Sequence, residues 1–86
     1  MYKVKIHKLA VKYYTKLDAK SKRKINKAIT DIMNNPFDIN KTRKLKGRLE
    51  SKYRYVIGNL RIIYSVNEKE KVVYIEAIGP RGDIYK

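Results

Sequence analysis

Residues 52–79 read KYRYVIGNLRIIYSVNEKEKVVYIEAIG, and the way this stretch pairs with itself decides the fold. Aromatic and β-branched residues alternate with polar ones on either side of Gly58-Asn59, the pattern of two strands joined by a two-residue turn. A turn of that length leaves one register, pairing Ile57 with Leu60, Val56 with Arg61, Tyr55 with Ile62, Arg54 with Ile63 and Tyr53 with Tyr64. Side chains alternate across a sheet, so Tyr53, Tyr55, Ile57, Leu60, Ile62 and Tyr64 share one apolar face. Arg54, Val56, Arg61, Ile63 and Ser65 share the other, with Arg54 and Arg61 as diagonal neighbours roughly 7–8 Å apart at the backbone. The polar run from Asn67 to Glu70 predicts a second turn with Val66 facing Lys71. It adds a strand with Val73, Ile75 and Ala77 in the core, Val72, Tyr74 and Glu76 beside the arginines, and Glu76 opposite Arg61. That strand is expected to stop at Gly79-Pro80, because proline lacks the ladder donor and glycine favours unusual backbone angles.

Upstream, Val4 and Ile6 alternate with lysines as in a short strand. Leu9, Ala10, Tyr13, Tyr14 and Leu17, and then Ile25, Ala28, Ile29, Ile32 and Met33, repeat at helical spacing and predict an amphipathic helical hairpin closing at Asn34-Asn35-Pro36. Tyr13 and Tyr14 fall on the apolar stripe and are read as core rather than as a stacking platform. Residues 37–52 read as an irregular edge strand or loop. The fold class is therefore α+β: an N-terminal strand, a helical hairpin, then an antiparallel meander of three to four strands with the helices on one sheet face.

Size and composition limit what such a domain does. With 86 residues it is expected to be a single domain, 1–86, burying about 60–65% of the surface its unfolded chain exposes. It has no cysteine, hence no disulfide framework and no thiolate metal site, which suits a reducing, cytoplasmic setting. No signal-peptide core or membrane-length apolar run is present, so no membrane partner is expected. Lys and Arg number 22 against 8 Asp and Glu, a formal net charge of +14, which points to a polyanionic partner: nucleic acid, an anionic surface or an acidic protein.

The arginines say more than the net charge. An exposed Arg61–Glu76 ion pair is one reading of the second face, but it leaves Arg54 without an acid. Two guanidinium groups bridged by a phosphate is the other, with Arg81, on the Gly79 to Gly82 kink at the edge of the same sheet, able to close on the anion. Tyr85 then follows where a ring stacks a base or a hydroxyl orients a phosphate or ribose oxygen. His7 is the one histidine and the acids are scattered, so neither a metal site nor any cofactor is expected. His7 as a catalytic base is the weaker reading, because it lies far along the chain from the arginines.

The stretch KLKGRLESKYRYVIGNLRIIYSV, residues 44–66, followed by IGPRGDIYK, residues 78–86, resembles the RelE/ParE superfamily of toxins, and within it the RelE branch. The shared features are Leu45-x-Gly47, Tyr53-Arg54, Arg61-x-x-Tyr64 and a closing Gly-x-Arg with a late tyrosine. The resemblance implies a ribosome-dependent endoribonuclease that cuts mRNA in the A site, held silent by a RelB-like antitoxin. It gives Arg61 the part of transition-state phosphate stabiliser, Arg81 that of phosphate contact and proton donor to the leaving oxygen, and Tyr85 that of orienting or stacking the substrate. Arg54 stands where well-known members carry a catalytic lysine. The basic residues Lys44, Lys46, Arg48 and Lys52 are expected to contact RNA. Val56 replaces a second lysine of those members. Valine moves no proton and arginine is a poor base, so Lys52 and Lys46 become the nearest candidates to activate the 2′-hydroxyl, unless catalysis rests on charge and alignment. The alternatives are a ParE-type poison of DNA gyrase on the same fold and a noncatalytic basic RNA-binding module.

Overall fold

Seven elements form in the computed structural model of the chain, which describes residues 1–37, 42–44 and 52–80. They are β1 (Lys3–Ile6), α1 (Lys8–Thr15), α2 (Ala19–Asn34), β2 (Thr42–Lys44), β3 (Lys52–Ile57), β4 (Leu60–Asn67) and β5 (Val72–Pro80). One sheet runs in the order β1-β5-β4-β3-β2. Strands β2 to β5 make the antiparallel meander, and β1 adds in parallel at the outer edge of β5. The connection between these two parallel strands runs through the helical hairpin and three further strands, well beyond the dozen or so residues that a parallel crossover needs.

The helices start where capping chemistry allows. His7 ends the first strand and caps α1, its Nδ1 accepting from the Leu9 amide at 3.1 Å. Asp18 caps α2, accepting from the Ser21 amide at 2.8 Å. That bond, with help from the Ser21 side chain and nearby lysines, lowers the Asp18 pKa. Ile25, Ala28 and Ile32 on α2 and Ala10 on α1 are buried against Tyr55, Leu60, Ile62, Tyr64, Val73, Ile75 and Ile78 of the sheet. Leu9, expected on the buried stripe, is instead 64% exposed. Ala10, in the same first turn, is the residue that α1 buries there.

The β3–β4 hairpin has the register expected from Gly58-Asn59. Gly58 adopts φ 60°, the left-handed value that a II′ turn asks of its first central residue. The second turn differs. Asn67 pairs with Val72 and Val66 with Val73, leaving residues 68–71 as the loop. The Asn67 side chain accepts from the Glu70 amide at 3.0 Å, and Lys71 takes φ 58°. The displacement is an even number of residues, so Val73 and Ile75 keep their core face.

A bulge then changes the rest of β5. Tyr64 pairs with Ile75 but Ile63 with Ala77, so Glu76 is the extra residue. Past it the faces exchange: Ile78 enters the core in place of Ala77, and Gly79, not Glu76, lies opposite Arg61. The strand also continues through Gly79 and Pro80, which pairs with Leu60. Proline is accommodated there because β1 pairs with β5 only as far as Ile75, leaving an open edge where a missing donor goes unused.

Aromatic rings close the end of the core near Pro36. Tyr2, Phe37, Tyr53 and Tyr64 succeed one another at centroid distances of 6.4, 5.5 and 5.6 Å. The buried Tyr64 hydroxyl donates to the Pro36 carbonyl at 2.6 Å. Among the described residues, no helix is long and apolar enough to cross a membrane.

Candidate RNA-binding face

The sheet face turned away from the helices is assembled by pleating alone. Arg54 lies opposite Ile63 and Val56 opposite Arg61, so the two arginines are diagonal neighbours across β3 and β4. Between them Ile63 is 1% exposed although it takes no part in the helix-side core. Arg54 faces it directly and Arg61 precedes it by two residues on the same strand, so their aliphatic stems are placed to cover it. The Nε atoms of both arginines are buried, while the two residues as a whole are half-buried. On β5, Gly79 faces Arg61 with no side chain.

Beyond this pair the face changes character. Lys52, Ser65 and Tyr74 are in register across β3, β4 and β5. Glu76, re-aimed by the bulge, forms an ion pair with the Lys52 ammonium. Burial pushes the Glu76 carboxyl up, but hydrogen bonds from Lys52 and Ser65 and the Lys52 charge together outweigh it, so its pKa is lowered. This pair replaces the expected Arg61–Glu76 contact. It also alters the part Lys52 can play, because an ammonium committed to a carboxylate is not the free amine that a general base requires.

The pH consequence has a definite sign. A carboxyl whose folded pKa is depressed contributes stability above its unfolded value, and that contribution is lost as pH falls through the folded value. Glu76→Gln is expected to be less stable than the parent at neutral pH by less than about 1 kcal/mol, the range of a partly exposed ion pair. The gap should close in acid, below the ordinary glutamate range, as urea unfolding at a series of pH values would read.

Of the residues expected from the sequence, Arg54, Arg61 and Lys52 are brought together on this face. Lys46, Arg48, Arg81 and Tyr85 lie outside the described residues. The register sets Lys44 opposite Tyr53 and Arg43 opposite Arg54. Arg43 was missed because β2 is three residues long and its register depends on a connection without a turn signal. His7 serves as a helix cap. No group of three or more His, Asp or Glu that could hold a metal occurs among the described residues.

A mixed sheet with a helical hairpin on one side and paired arginines on the other defines a class, and comparison with known proteins identifies it. The model of the family described as ParE-like toxin of type II bacterial toxin–antitoxin systems matches residues 4–86. The chain belongs to this family. It is similar to the RelE of an archaeal RelE–RelB complex from Pyrococcus horikoshii OT3, with 35% identity over 95% of this chain and 97% of that one, and a TM-score of 0.81. The isolated Escherichia coli RelE toxin shares the fold at 21% identity, covering 93% and 84% of the two chains, with a TM-score of 0.80. So does a YoeB/ParE toxin from Agrobacterium tumefaciens at 20% identity, covering 92% and 98%, with a TM-score of 0.80. No match is found among curated proteins.

Proposed function

We propose that this toxin is a ribosome-dependent endoribonuclease that cleaves mRNA in the A site, without a metal or other cofactor. The observation that carries the reading is the diagonal Arg54–Arg61 pair on one sheet face. In the reaction the ribose 2′-oxygen attacks the adjacent phosphorus as its proton departs, and the 5′-oxygen leaves with a proton gained. A 2′,3′-cyclic phosphate and a free 5′-hydroxyl result. The phosphorane between them is crowded and doubly charged, and preorganised guanidinium groups stabilise it most. Arg81 would supply the leaving-group proton and Tyr85 would orient the substrate.

With Val56 in place of a lysine and Lys52 bound to Glu76, catalysis leans on charge and alignment rather than on a strong base. The ribosome would provide that alignment. Naked RNA is therefore expected to be cut poorly and mRNA in a translating ribosome well. Mapping mRNA ends after induction in cells tests this: discrete cuts within translated codons support it. DNA damage with intact mRNA would instead favour gyrase poisoning, a reading the ParE-like family model keeps in play. Neither result would leave an RNA-binding module.

A RelB-like antitoxin is the proposed partner, supported by the archaeal RelE–RelB complex. A groove of about 290 Å³ lined by Ile6, Val11, Tyr14, Asn26, Ile29 and Ile78 offers an amphipathic segment an apolar seat. The chain's +14 charge favours an acidic one.

A further inference from the structure

We infer that Tyr74, with Lys5 beside it, forms a nucleobase-stacking subsite for the RNA strand whose phosphate Arg54 and Arg61 hold; the inference rests on the RNA-cutting reading above. Isolated apolar side chains at a surface are ordinary, so exposure by itself would mean little. Tyr74 differs in its surroundings. The tyrosines facing the helices, Tyr53, Tyr55 and Tyr64, are packed into or against the core, whereas the Tyr74 ring is 46% exposed on the arginine face.

The Lys5 ammonium lies 5.8 Å from the Tyr74 ring centroid, on the neighbouring strand β1, where Lys5 and Tyr74 are in register. The ammonium lies over one face of the ring and leaves the other for a base, so a nucleotide would stack on that opposite face while its phosphate is drawn to the nearby positive charge. The nearby acid does not oppose this, because Lys52 and Ser65 already engage the Glu76 carboxylate.

Sheet geometry gives the spacing. Tyr74 is two strands and two residues from Arg54, and one strand and four residues from Arg61. At about 4.8 Å between strands and about 3.4 Å per residue these offsets come to roughly 12 and 14 Å. That is too far for the base beside the scissile phosphate and suits a base further along an extended strand. The subsite would thus influence which sequences are held, while the arginines act on any phosphate.

The test is binding of a fluorescently labelled 2′-O-methyl oligouridylate, which lacks the nucleophile and is not cut, against the same backbone carrying abasic positions. Tyr74→Ala should weaken the uridine oligomer about ten-fold or more, the usual consequence of removing a stacking ring. Tyr74→Phe should bind like the parent, and the abasic oligomer should not distinguish the three proteins. Thermal melting checks that the exposed substitution leaves the fold unchanged. Equal binding of the uridine oligomer by parent and Tyr74→Ala would overturn the inference. So would an equal loss on both oligomers, or a loss confined to antitoxin binding. Failure of the cutting reading appears separately, as absent mRNA cleavage by the parent in a translating lysate.

Discussion

Arg61→Ala is expected to abolish growth arrest and to lower mRNA cleavage on the order of 10²-fold or more, the loss typical of removing one preorganised charge contact from a transition state. Alanine also strips the stem from over Ile63, so a drop in stability could be mistaken for a loss of chemistry. Arg61→Gln separates the two, because it retains part of the stem without the charge. Both variants should fail to cleave, and Arg61→Gln should melt closer to the parent. Retained toxicity in Arg61→Gln would remove Arg61 from the mechanism. The matching test at Arg81 has the same expected outcome.

Ile75→Ala should come near to unfolding the protein. Ile75 is fully buried, paired with Ile6 on one side and Tyr64 on the other, and its carbonyl accepts from the His7 amide at 2.8 Å. Truncating such a side chain typically costs about 2–5 kcal/mol. A domain of this length has only roughly 4–13 kcal/mol in total, at about 0.05–0.15 kcal/mol per residue. Leu9→Ala, at an exposed position, should change stability by no more than about 0.5 kcal/mol. Urea unfolding of the two variants would measure the contrast, and similar losses at both positions would contradict the packing described above.

How much of this was legible in the sequence varied with the length of each connection. Gly58-Asn59 leaves one register, so the β3–β4 faces and the Arg54–Arg61 diagonal could be read directly. The run Asn67 to Lys71 contains no glycine, and its geometry depends on an asparagine side chain and a lysine at positive φ, which no residue pattern announces. The bulge was hidden for a similar reason. Glu76-Ala77-Ile78 alternates acceptably in either phase, and only packing of Ile78 with Ile62 decides between them. The Lys52–Glu76 pair was lost with it. The partner of β1 was illegible because parallel pairing joins residues almost seventy positions apart, as Lys3 with Val72.

The position of β5 bears on how the protein is made. The strand formed from residues 72–80 lies inside the sheet, between β1 and β4, although it comes last among the described strands. A nascent chain that has reached only residue 71 holds the arginine-bearing hairpin, yet β1 has no partner and the core lacks Val73, Ile75 and Ile78. Closing that gap early is unfavourable, because the longest loop must be ordered before its contacts form. Folding therefore waits for β5 to be made. Until β5 is in place neither the core nor the sheet that carries the arginine face is complete, so the folded toxin appears only once that strand has been made.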